Sequence, residues 1–169
     1  MNRFVALFAL FFGLAASAKA QQVPAYWQRI ESPHLENLQR LLDRVYGDDL
    51  TLAQMDGAEL PHSEHDTITY VSSYGLHTEA QLSALRTMVG MLLDVRNPND
   101  HHDARSPLQG YLDNQCRPFT EREIEAVTKA STESTVPAVS QTVLKLKDDM
   151  RETLMEFDSL SRDLELEGK

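Results

Sequence analysis

The densest chemistry in this sequence lies in two short polar runs. His62-Ser63-Glu64-His65-Asp66 and Asp100-His101-His102-Asp103 set imidazole nitrogens beside carboxylate oxygens. Borderline divalent ions such as Zn²⁺, Ni²⁺ or Cu²⁺ take that donor set. His62, His65, His101 and His102 are therefore the candidate metal ligands. Both runs also suit solvated surface loops, and a shared site demands that they meet across the helix between them in sequence. Known catalytic patterns do not complete. His62-Ser63-Glu64 fits the H-x-E of zinc deaminases, but the accompanying P-C-x-x-C needs two cysteines, and the chain has one. His62 and His65 stand three apart, where H-E-x-x-H needs four. No G-x-S-x-G elbow, phosphate loop or dinucleotide fingerprint occurs in the sequence. Cys116 neighbours Arg117, which favours a thiolate, yet a lone cysteine more often fills a small apolar gap. The expectation is a protein without a catalytic set and without a cofactor; Zn²⁺ or another divalent metal is the alternative.

Charge and leader set the compartment. Lys and Arg number 16 against 26 Asp and Glu, a net charge of −10. Such a surface repels phosphate backbones and anionic lipid, which argues against nucleic acid and membrane surfaces as partners. Residues 1–20 read as a signal peptide: Arg3, an apolar run from Val5 to Ala15, and a small-x-small cleavage site at Ala18-Lys19-Ala20. That run is too short for a bilayer-spanning helix, so no stable membrane anchor is expected. Cleavage after Ala20 removes two basic residues and no acid, leaving residues 21–169 as a single, still more acidic domain in the periplasm or outside the cell. A single cysteine excludes an internal disulfide framework, which points away from small secreted eukaryotic domains and toward a bacterial envelope.

The elements that must position any site are helices. Val136 to Leu166 carries an apolar stripe read as Val139, Val143, Leu146, Met150, Leu154, Phe157, Leu160 and Leu164, the periodicity of one long C-terminal helix. Pro137 suits its first turn, and Ser134 or Thr135 can cap it. A first helix starts at Ser32-Pro33, carries Leu35, Leu38, Leu41, Leu42, Val45 and Tyr46, and stops at Gly47, after which Asp48 to Met55 can add one or two helical turns. Tyr26, Trp27 and Ile30 form a short apolar patch before it. A second helix starts at Thr78, with Gln81 completing a capping box, and ends before Asn97-Pro98. A third starts at Thr120 with Glu123 in the same relation. Residues 56–75 and 97–119 read as irregular, the β-branched stretch from Thr67 to Tyr74 being irregular or helical because it has no strand to pair with. The sum is an all-α, irregular bundle of about four main helices. Asp158, Asp163, Glu165 and Glu167 oppose the dipole at the end of the long helix, which predicts that its last turns need outside support.

Leu50-Thr51-Leu52-Ala53-Gln54 resembles the L-T-x-x-Q motif of the CpxP- and Spy-like periplasmic stress proteins. His77-Thr78-Glu79-Ala80-Gln81-Leu82 resembles a second copy, with His where Leu belongs. The resemblance covers these two stretches only. It implies an exported, all-helical chain from a family with metal-responsive members; the acidic charge departs from the basic binding face of Spy-like chaperones. From the residues themselves the leading expectation is a non-enzymatic interaction protein of the bacterial envelope, an inhibitor, immunity or stress-type module with a protein partner. The alternative is a periplasmic metal-binding or metal-sensing protein that uses the four histidines.

Overall fold

The computed structural model describes residues 25–57, 59–95 and 98–166. The expected signal peptide and the side chains of Tyr26, Trp27 and Ile30 lie outside the described residues. Five α-helices follow in order: α1 (Ala25–Asp56), α2 (His62–Asp94), α3 (Pro98–Tyr111), α4 (Arg117–Glu133) and α5 (Pro137–Leu166), with a π-helical segment Leu112–Cys116 joining α3 to α4. The joined pair makes one continuous rod, so the all-α, four-helix expectation holds, and no strand occurs among the described residues.

A strict alternation of steps of four and three organises the bundle. On α1 the buried positions are His34, Leu38, Leu41, Val45, Asp48 and Leu52. On α2 they include Glu64, Ile68, Val71, Gly75, Thr78, Leu82, Leu85, Val89 and Leu92, with Gln81 buried beside them on the α4 side. On α5 they include Val139, Val143, Leu146, Met150, Thr153, Phe157, Leu160 and Leu164. This is the seam of a left-handed bundle, in which a 3.5-residue repeat keeps one face on its neighbours. Thr153 takes the place that the sequence suggested for Leu154, which is only partly buried. The Thr153 hydroxyl donates to the Asp149 carbonyl at 2.9 Å, so a polar side chain sits in the seam without an unmet donor.

The α3–α4 rod breaks the alternation: Leu108, Leu112, Cys116 and Thr120 are all four apart before Glu123, Val127 and Ala130 resume it. Three consecutive steps of four would rotate the stripe away from the core. The π segment takes up the difference, its wider turn closing with Arg117 N–H donating to the Leu112 carbonyl five residues back. Pro118 follows with no N–H to donate, so the ladder is interrupted where a proline would interrupt it in any case.

Several local expectations are corrected. Gly47 does not stop α1, because the stripe continues through Asp48 and Leu52 and the seam outweighs one weak helix former. Residues 62–75 are the first half of α2: their β-branched side chains lower helix propensity, but Ile68 and Val71 fall in register with the core. Residues 98–119 are helical rather than loop. Thr78 and Thr120 therefore lie inside helices and form no capping boxes. Thr120 instead donates to Gln81 Oε1 across the bundle at 2.9 Å.

Pairings fix the topology. Asp56 meets His65, Glu64 meets Ser134, and Ser131 meets Ser140, so each rod runs antiparallel to the next. Along their lengths α1 packs chiefly on α2 and α5, and α4 on α5. No described helix is long and apolar enough to cross a membrane.

Candidate functional site

The four candidate ligands fall at two ends of one helix. His62 and His65 lie in the first turn of α2, and His101 and His102 lie early in α3, just past the other end of α2. With 33 residues, α2 is roughly 50 Å long at its helical rise. The segment that would have to fold back to unite the pairs is itself part of that helix. Exposed His62 lies 4.0 Å from Asp66, His65 Nδ1 is 2.7 Å from Asp56 Oδ1, and Arg105 donates to His102 Nδ1 at 3.4 Å. The His101 side chain is outside the described residues. Glu64, third member of the first run, is buried for a structural purpose. Its carboxylate accepts from Ser134 Oγ at 2.7 Å, Thr135 N–H at 2.6 Å and Thr135 Oγ1 at 2.8 Å. Burial alone would raise the Glu64 pKa, but these donors overcome it and hold the group below its usual range. The hydroxyls expected to cap α5 are thus themselves bound by Glu64.

Cys116 is fully buried, and burial pushes its thiol up to about 12. Arg117 turns away from it, donating from Nε to Asp158 at 2.6 Å and from Nη1 to Asp113 at 3.2 Å. A thiol held neutral in a dry core is not a nucleophile.

The polar chemistry that the sequence concealed lies along the α1–α5 seam. Buried His34 donates from Nδ1 to Glu156 Oε1 at 2.5 Å and from Nε2 to Asp163 Oδ2 at 3.0 Å. Both acceptors are carboxylates, so satisfying both requires the doubly protonated imidazolium. Burial disfavours that charge, but the two carboxylates outweigh it and the His34 pKa lies above its ordinary 6.5. One turn on, Asn37 donates to Glu156 Oε2 at 3.1 Å. Arg40 and Arg44 then reach Glu152 at 2.7 and 2.5 Å, Arg44 also clasps buried Asp149, and Lys145 clasps buried Asp48. Burial raises the Asp48 carboxyl, Lys145 opposes that, and neighbouring Asp149 adds to it. Two of the acids near the end of α5 are paired within the chain, Asp158 with Arg117 and Asp163 with His34.

A second polar seam joins α2 to α4. His77 Nδ1 lies 2.5 Å from Glu123 Oε1, Phe119 stacks edge-on to His77 with centroids 5.7 Å apart, and Arg122 covers the Phe119 ring at 4.4 Å. Burial lifts the Glu123 carboxyl, with His77 and Arg122 pulling against it.

The α1–α2 seam differs. Asp49 and Glu79 approach each other there, and Asp49 Oδ1 and Glu79 Oε1 are buried without a hydrogen-bond partner. Burial, then the Asp49 charge, raises the Glu79 pKa. Gly75 lies under Asp49: a Cβ there would come 3.2 Å from Asp49 Oδ1. Beside this pair stand exposed Tyr46, Leu50 and Leu76.

The described residues define an antiparallel four-helix bundle of coiled-coil type with charged seams. Among them no group of three or more His, Cys, Asp or Glu is placed to hold a metal ion. No protein-family model matches the chain, and neither a curated protein nor a solved structure is similar to it. Sequence reading missed His34 and Asp48 because they are polar, although both keep the four-three spacing of Leu38, Leu41, Val45 and Leu52. That spacing was the available signal.

Proposed function

We propose that this protein is an exported, non-enzymatic helical interaction module of the bacterial envelope, of the inhibitor, immunity or stress-protein kind, and that its partner is another protein. The observation that carries the reading is the outer face of the α1–α2 hairpin, where Tyr46, Leu50 and Leu76 are 57, 45 and 58% exposed. Leu50 follows Asp49 and Leu76 follows Gly75. One step of about 100° past two facing residues of antiparallel helices turns both side chains to the same side of the pair. Tyr46 is one turn from Leu50 on that side. The reading is supported further by what the reactive side chains are used for. Cys116 is core, Glu64 binds the α4–α5 turn, and His34 and His77 are held by buried carboxylates.

Export rests on the leader pattern of residues 1–20, and fractionation of cells expressing the full chain tests it: retention in the cytoplasm would remove the envelope from the proposal. Photo-crosslinking from position 50 in envelope extract, followed by mass spectrometry, tests the interaction. A discrete adduct that is lost when Tyr46→Ser/Leu76→Ser is added to the position-50 probe supports it, and no adduct at all ends it.

A further inference from the structure

The α1–α2 hairpin face is charged and apolar at once. Every buried carboxylate on the neighbouring seams is answered within the chain: Asp48 by Lys145, Asp149 by Arg44, Glu156 by His34, Glu123 by His77, and Glu64 by hydroxyl and backbone donors. Asp49 and Glu79 are not. Each keeps one buried oxygen without a donor, as Asp48, Asp149 and Glu123 also do, but unlike those three neither takes part in an ion pair among the described residues. A carboxylate pair held together and partly out of water is costly unless a cation joins it. Gly75 keeps room for Asp49 to lie over the α2 backbone, since a Cβ would press on its carboxylate. Tyr46, Leu50 and Leu76 border this unanswered charge with exposed apolar surface.

Resting on the interaction reading above, we infer that the α1–α2 face docks an amphipathic segment of a partner protein that sets an Arg or Lys between Asp49 and Glu79 and covers Tyr46, Leu50 and Leu76 with apolar side chains. Charge complementarity selects this occupant. A second copy of the chain would bring the same acidic pair to the interface, and the chain's net charge of −10 opposes its own association. Anionic lipid is repelled for the same reason. An arginine suits the gap between two carboxylates because its planar fork donates in two directions at once. The arrangement, a desolvated charge ringed by apolar contact, is that of an interface hot spot.

The probe is a fluorescein-labelled amphipathic helical peptide with Leu and Arg on one face, titrated into the full chain and read by anisotropy. Its match has Gln for every Arg. Expected are saturable binding of the Arg peptide, about tenfold or greater weakening in Asp49→Asn/Glu79→Gln, and comparable loss in Leu50→Ser/Leu76→Ser. Calorimetry in two buffers of different ionisation heat should show proton release on binding near the Glu79 pKa, because an arriving cation lowers that pKa. Equal binding of the Arg and Gln peptides overturns the inference, as does unchanged affinity in the charge-removed variant. A dimer in sedimentation that Leu50→Ser/Leu76→Ser dissolves would assign the face to a second copy and overturn it too. If the position-50 adduct forms equally in Asp49→Asn/Glu79→Gln, the cationic occupant is refuted while the interaction reading stands. Absence of any adduct with the otherwise wild-type chain removes both.

Discussion

The two seams of α1 are built differently. Toward α5, buried His34, Asp48, Asp149 and Glu156 each meet an opposite charge, and the row of pairs runs the length of the contact. Toward α2, half-buried Asp49 and Glu79 lie close enough for the Asp49 charge to raise the Glu79 pKa, and neither has an ion pair among the described residues. A buried ion pair is weak evidence of net stabilisation, but breaking one leaves a stranded charge at considerable cost. The α1–α5 seam is therefore one that loss of a single partner harms, and its pairs join two long helices in one register. The α1–α2 seam leaves two carboxylates without a cation, a cost that a simple substitution is expected to relieve.

The largest effect that would separate the two seams is loss of Arg44. Arg44→Ala strands Asp149, which is 1% exposed, and should cost about 3 kcal/mol in urea unfolding. A loss below ~1 kcal/mol would show that Asp149 simply takes up a proton or water, and the contrast would collapse.

Next is the pH profile. The folded pKa of His34 lies above its unfolded value near 6.5, so its contribution is complete below that value and is lost as pH rises through the folded pKa. Thermal stability should fall on going from neutral into alkaline solution, and His34→Gln should flatten that fall. An equally steep decline in the variant would place its origin elsewhere.

The α1–α2 seam should respond with the opposite sign and smaller size. Gly75→Ala gains helix propensity, and the atom it crowds is the free end of the Asp49 side chain, so stabilisation of up to ~1 kcal/mol is expected. Glu79→Gln should be neutral or stabilising by about half a kcal/mol at neutral pH. Because the folded Glu79 pKa is raised, wild type pays its penalty above the unfolded pKa and is relieved on acidification. The two proteins should therefore converge in stability toward acid. Destabilisation of either variant at neutral pH would mean that Asp49 and Glu79 have partners within the fold after all.

Much of the bundle was legible because hydrophobic periodicity is a local signal. Leu38, Leu41, Val45, Leu82, Leu85, Leu146, Met150 and Phe157 are core residues as their spacing requires. What failed was punctuation. Gly47, Thr78 and Thr120 look like stops and starts from their neighbours alone, but a seam shared by four rods carries helix through all of them. The polar members of the stripe failed for a related reason: His34, Asp48 and Glu64 are buried because each finds its partner on another element or turn, and such pairings join residues far apart in sequence. Reading by composition drew attention to the histidine-rich ends of α2, whereas the charges that matter to the fold lie singly, one per turn, between leucines.

Cys116 has a practical consequence in kinetic terms. It is the only thiol in the chain, it is fully buried, and it closes the π-helical segment that joins α3 to α4. A thiol-reactive reagent must wait until that junction opens, so its labelling rate is a stopwatch for one local event in an otherwise silent molecule. When reclosing outpaces the reagent, the rate divided by that of a free thiol gives the fraction of time the junction stands open. The native sequence thus supplies, with no engineered label, a clock at the place where its helical phase is reset.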